Sequence, residues 1–166
     1  MMWYVLQVLT GSEQDVCKTL RRKGVTARAP VQKIPIRRRG QWKEEDHLLF
    51  PGYVFVGVDY SAALYHLVSP VAGVIRWLGM ENGKPQALDT QDAIRWQLYS
   101  SETLESSRVL FMPDGSWNVL DGPLMSFNQD LIRMERRQHR AYVTMCLGGT
   151  KRRVRFGVIP VTEDSI

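Results

Sequence analysis

The chain reads as an α+β protein: an antiparallel α/β sandwich over residues 1–100, a linker at 101–111, and a small five-stranded β-barrel over 112–166. Three observations lead there. In the first part, strand-like apolar runs alternate with short stretches of helical period. "YSSETLESSRVLFMPD" (99–114) is then rich in Ser and Glu and lacks clean periodicity in its first half. Beyond it only short strands follow, separated by "DGP", "RRQHR", "GGT" and "FG".

Each element has its own signal. "WYVLQV" (3–8) is apolar and β-prone, and "TGSEQDVCKTLRRKG" then changes to a helical period. Ser12 with Asp15 three residues on resembles a capping box, Val16 and Leu20 share one helix face, and Gly24 suits the stop. A strand is expected around Val31–Ile36, running into "RRRGQWKEED", a charged hairpin tip or loop. "LLFPGYVFVGVD" is a strong strand signal, with Pro51-Gly52 marking a bulge or strand start. "SAALYHLV" reads as a short helix and "GVIRWLG" as a strand. "LDTQDAIRWQLYSS" reads as a third helix, with Asp89 or Thr90 at its cap and Ile94 and Leu98 on its buried side. The barrel strands are expected at "WNVL", "DLIRME", "AYVTMCL", "KRRVRF" and "VIPV".

Composition removes several function classes. No apolar run reaches the roughly 18 residues of a membrane span, and the first residues lack a signal-peptide pattern. A cytoplasmic monomer without membrane contact is expected. Cys17 and Cys146 are far apart and read as buried thiols rather than a disulfide. His47, His66 and His139 are scattered without ligand-like spacing, so no metal and no cofactor are expected. No nucleophile elbow, phosphate loop or paired-carboxylate motif appears, and Asp114 and Asp121 read as turn formers. An enzyme is not expected.

Charge is unevenly placed. Residues 117–161 hold eight cations (Arg133, Arg136, Arg137, Arg140, Lys151, Arg152, Arg153, Arg155) against three acids (Asp121, Asp130, Glu135). That excess equals the +5 of the whole chain, and it points to a polyanion, most simply nucleic acid; a basic solvated face is the bland alternative. Strand alternation turns Ile132 and Met134, then Ala141, Val143, Met145 and Leu147, then Val154, Phe156 and Val158 inward. Arg133, Arg153 and Arg155 therefore point outward. Arg136, Arg137, His139 and Arg140 fall in one turn, and Lys151 and Arg152 in the next. Two turns and one strand face are expected to make a single RNA-binding patch. Arginine suits phosphate forks better than solubility requires. In "RRRGQWKEED", Arg37, Arg38, Arg39 and Lys43 either meet nucleic acid or are neutralised by Glu44, Glu45 and Asp46.

"WYVLQVLTGSEQDV", "LFPGYVFVGVD", "GVIRWLG" and "DGPLMSF", in that order and over nearly the whole chain, resemble the NusG family of transcription elongation factors. The resemblance implies an N-terminal domain that binds RNA polymerase and a C-terminal KOW-type barrel that recruits a further partner. Length, the arginine-rich barrel and "IRMERRQHRAYV" are similar to the specialised LoaP branch of antiterminators, which implies nascent RNA, a leader hairpin, as that partner. The family also implies that Tyr4, Phe50, Tyr53, Phe55 and Trp77 surround an apolar concavity that seats the polymerase clamp helices. His66 in "YHLV" would meet the opposite side of the polymerase cleft. The residues alone leave a plain sandwich core open for the aromatics. Where the family places Gly after the "DGP" segment this chain has Gln129. Two other readings are a general elongation factor whose barrel recruits proteins, and a ribosome-associated KOW protein. "SSETLESS" is too polar to pack tightly, and "AYVTMCL" and "VRFGVIPV" argue against the helical C-terminal half of the RfaH branch.

Overall fold

Apolar side chains at period two and one short amphipathic helix build the first of two compact units. It comprises Met1–Pro30, the described residues of Phe50–Ser101, and Cys146–Arg152. A computed structural model describes residues 1–89 and 103–165; the helix expected over "LDTQDAIRWQLYSS" lies almost wholly outside them. Strands β1 (Met2–Val8), β2 (Thr26–Arg28), β5 (Tyr53–Val58) and β6 (Val74–Trp77) form an antiparallel sheet of order β2-β5-β1-β6. Every residue of β5 is buried, so both faces of the sheet are covered. Helix α1 (Glu13–Arg22) buries Val16, Cys17 and Leu20. It stops where Gly24 takes φ +82, with Val25 N–H donating to the Leu20 carbonyl (2.9 Å) and Gly24 N–H to that of Arg21 (3.0 Å). The expected capping box does not form: the Ser12 side chain makes no cap bond. Buried Glu13 instead accepts the N–H groups of Gly11 (2.5 Å) and Gly52 (3.2 Å), tying the helix start to the turn before β5. In that turn Gly52 has φ +87 and Tyr53 N–H reaches the Phe50 carbonyl at 3.1 Å, as Pro-Gly at its centre favours. Helix α2 (Ala62–Val68) is capped by the Ser61 hydroxyl, which accepts from Leu64 N–H at 3.1 Å.

The second unit comprises Val31–Leu49, the described residues of Glu102–Met145, and Arg153–Ile166. Its bounds differ from the sequence reading, because the 31–49 hairpin groups with the C-terminal strands and the 146–152 tip with the first unit. That hairpin, β3 (Val31–Arg38) and β4 (Gln41–Leu48), turns at Arg39-Gly40, both at positive φ (52 and 77) as a tight two-residue hairpin requires. The C-terminal strands are β7 (Ser107–Phe111), β8 (Trp117–Asp121), β9 (Ile132–Glu135), β10 (Arg140–Leu147) and β11 (Thr150–Thr162), in sheet order β8-β7-β11-β10-β9. Five strands were expected, but not this set. "KRRVRF" and "VIPV" are one continuous strand, and the fifth strand, β7, takes residues assigned to the linker. Its signal is the alternation of "SRVLF", in which Ser107, Val109 and Phe111 are buried.

"DGP" has a physical reading. Asp121 accepts Arg108 Nε (2.7 Å) and its backbone N–H (3.2 Å), and a Cβ on Gly122 would stand 2.6 Å from Ser107 Cα. Ser107 Oγ then accepts Leu124 N–H at 3.0 Å. Gln129 sits in a 3-10 turn with its amide 3.3 Å from Asn118 Oδ1.

Gly157 does not break β11; it makes room. A Cβ there would lie 2.6 Å from the Lys33 carbonyl, 2.5 Å from Ser106 Oγ and 2.8 Å from Pro35 Cδ. The space admits β3, whose Gln32 amide donates to the Arg155 carbonyl (2.7 Å), while Ser106 Oγ donates to the Lys33 carbonyl (3.0 Å). Gly157→Ala is therefore expected to cost about 1–3 kcal/mol, as overpacking does. A shift of the urea midpoint checks this; an unchanged midpoint would mean that β3 moves off without cost.

Candidate functional site

The second unit carries the basic surface. Trp42 stands opposite Arg37 in the hairpin register, and its indole stacks on the His139 imidazole, 3.5 Å between centroids and 9° apart. His139 closes the 3-10 turn Arg136–Gln138 with left-handed φ 53. Arg140 follows, and here the structure corrects the expectation. It is 8% exposed, not part of an outward patch, and its Nη1 donates to the carbonyls of Pro35, Gln138 and His139. Burial, and then the nearby Arg155, lower its pKa. The cause is a contact across 105 residues of sequence, invisible to local pattern.

The remaining cations divide by partner. Arg133 is exposed and pairs with Glu135 at 3.1 Å. Arg136 lies over the Phe111 ring (4.8 Å) and Arg153 over Tyr142 (3.9 Å). Arg155 Nη2 is 3.5 Å from His47 Nδ1, and Arg137 is exposed. Of the inward sets, Ile132, Ala141, Val143, Leu147, Val154, Phe156 and Val158 are buried, while Met134 and Met145 are half-buried. Of the two expected turns, 136–139 belongs to the second unit, while Lys151 and Arg152 group with the first.

What joins the 136–139 turn is the β3–β4 hairpin. There Arg38 forks onto Glu45 (2.9 and 3.2 Å) and Lys33 meets Asp46 at 3.7 Å, so those two are neutralised internally. Arg37, Arg39 and Lys43 are exposed. Sequence reading passed over Trp42; an aromatic inside a run of cations was the available signal. Cys146 was also misjudged, since it is exposed at the polar tip, while burial pushes the Cys17 thiol up to about 11.

In the first unit the aromatics do not form one surface. Tyr4 pairs with Val56 and Val5 with Phe55, so Tyr4 and Phe55 face opposite sides of the sheet. Tyr4, Tyr60 and Trp77 cluster with centroids 5.5–6.1 Å apart, and Tyr65 lies 6.3 Å from Trp77. Phe50 and Phe55 pair separately at 5.1 Å. All five expected anchors are buried, and His66 is exposed on α2. Tyr53, 8% exposed, shares its face with Gln7 and Arg76, and Arg152 lies 5.4 Å over its ring.

Comparison with known proteins agrees with this architecture. The model of the NusG family, described as transcription termination factor nusG, matches residues 1–97, and the chain belongs to that family. It is 26% identical over 158 residues to the transcription termination/antitermination protein NusG of Pseudomonas aeruginosa, spanning 89% of each chain. It is 27% identical to that of Escherichia coli K12, over 89% of this chain and 87% of the relative. A solved structure described as domain interaction in Thermotoga maritima NusG has a similar fold, with TM-score 0.50 at 19% identity over 94% of this chain and 93% of that one.

Burial, then the positive charges of Arg140 and Arg37, hold the His139 imidazole below its ordinary value. Folding thus favours the neutral ring. The stability it contributes is whole above the unfolded value of about 6.5 and is lost as pH falls below it. The urea midpoint is expected to drop between about pH 7 and pH 5.5, and His139→Phe, which keeps the stack on Trp42, is expected to shrink that drop. An equal drop in the variant would assign the dependence to another group.

Proposed function

We propose that this chain is a processive antitermination factor of the LoaP type. Its N-terminal unit binds the RNA polymerase clamp helices, and its C-terminal strands bind nascent leader RNA. It acts by binding alone, as a cytoplasmic monomer without cofactor. The observation that carries the RNA half is the outward set Arg136, Arg137, Arg153 and Arg155, joined in the same unit by Arg37, Arg39 and Lys43. Stacking on Phe111 and Tyr142 orders two of these guanidiniums while leaving their edge N–H groups free for phosphate. A hairpin offers phosphates and splayed loop bases at once, whereas the narrow major groove of an A-form stem excludes side chains. The family name of the relatives, termination/antitermination, supports the transcriptional half.

Leader-transcript binding by the full chain tests the RNA reading. Removing Arg136 and Arg137 is expected to lower affinity and to flatten log affinity against log salt by about 0.7–0.9 per lost phosphate contact. No binding at moderate salt would leave the barrel as a protein-recruiting module or a solvated face.

The polymerase half rests on the Tyr53 side of the sheet, where Phe50 and Phe55 lie close by in sequence. Docking there must displace the Arg152 guanidinium. Tyr53→Ala is expected to weaken binding of isolated clamp helices by about 2 kcal/mol, as loss of an aromatic anchor does. Arg152→Ala should act oppositely, by about 0.5–1 kcal/mol, the worth of an exposed cation–π contact. Pull-down or calorimetry reads both. Two folded variants with unchanged affinity would make Tyr53 a core residue only.

A further inference from the structure

We propose that Trp42 and His139 form a stacking platform for one unpaired nucleobase of the bound RNA, an assignment that rests on the RNA-binding reading above. Trp42 sits on the polar arm "QWKEEDHL", remains 36% exposed, and stacks on His139 through one face. A large aromatic left partly in water costs apolar hydration unless something covers it.

The surroundings define what covers it. Arg37 lies directly across the hairpin from Trp42, and Arg136 and Arg137 precede His139 in its turn, Arg136 resting over Phe111. Of the acids nearby in sequence, Glu45 pairs with Arg38, Asp46 with Lys33 and Glu135 with Arg133, while Glu44, two residues along β4 from Trp42, is exposed on the same strand face. A nucleotide presents a flat base and a phosphate together, and this surface offers a flat ring beside several guanidiniums. An acidic peptide would use the cations but not the ring. A paired stem would do the same, because its bases are stacked on one another; only a loop, a bulge or an end frees a base. The neutral imidazole adds a second aromatic layer behind the indole rather than a positive charge, so the π-stack continues through the base. His139, at φ 53, has its ring stacked flat against the Trp42 indole.

The test compares two probes on the full chain: a stem-loop RNA pool with randomised loops on a fixed stem, and the same stem as a blunt duplex. Trp42→Ala is expected to lower stem-loop affinity by roughly 5- to 150-fold, the span of one base–aromatic stack, with duplex affinity changing less than about twofold. Trp42→Phe should recover most of the loss. Circular dichroism and the urea midpoint confirm that both variants fold. If Trp42→Ala leaves stem-loop affinity unchanged while loss of Arg136 and Arg137 lowers it, the platform is refuted and RNA binding stands. If both probes weaken equally, Trp42 serves the hairpin's structure and the assignment also falls. If the wild-type chain binds neither probe, the RNA reading itself fails. Capture of an acidic peptide that Trp42→Ala abolishes would make the platform a protein site instead.

Discussion

The close approach of the Lys33 carbonyl to Gly157 is the contact on which the second unit depends. Without a side chain at 157, β3 lies against β11 near enough for Gln32 and Ser106 to bond across, and for Lys33 N–H to donate to Leu104 at 2.7 Å. Once β3 is held, its Pro35 carbonyl meets Arg140, and the hairpin beyond it carries Trp42 onto His139. A glycine that reads as a strand break is the hinge of the whole basic surface. Close backbone approach is one of the few reasons for glycine inside a strand.

The same geometry sorts arginines of the second unit into four kinds. Arg140 is interior and serves carbonyls; it carries the fold rather than a partner. Arg38, Arg108 and Arg133 are taken by carboxylates, so much of their charge is spent locally. Arg136 and Arg153 lie on aromatic rings, and Arg137, Arg37 and Arg39 stand in solvent. The arginines on rings and in solvent, with Arg155 beside His47, are the ones that present charge outward. A count of cations therefore overstates the surface, while the presence of a ring among them understates what it can recognise. A net charge says that a polyanion is attracted; a ring beside a fork says which part of it is held.

Local pattern was readable and long-range contact was not. β1, α1, β5, α2 and β6 follow from apolar periodicity and turn residues, and in β10 and β11 alternation placed Val143, Val154 and Phe156 inside. The arm β4 was missed because "QWKEEDHL" is polar on both faces, so no alternation marks it as a strand. β7 was hidden by its Ser- and Glu-rich neighbourhood. The burial of Arg140 and the exposure of Cys146 follow from where the hairpin and the tip pack, which no window of sequence contains. The aromatics of the first unit show the same limit: alternation put Tyr53 and Phe55 together, and only strand register put Tyr4 on the other side.

The central claim is that the β3–β4 hairpin and the 136–139 turn act as one RNA surface. Photo-crosslinking of the full chain to a leader transcript, with the crosslinked peptides mapped by mass spectrometry, addresses it most directly. Crosslinks are expected in both segments, at or beside Trp42 and His139, with few at Lys151 and Arg152. Crosslinks confined to the 151–152 tip, or found on the hairpin or the turn alone, would contradict it.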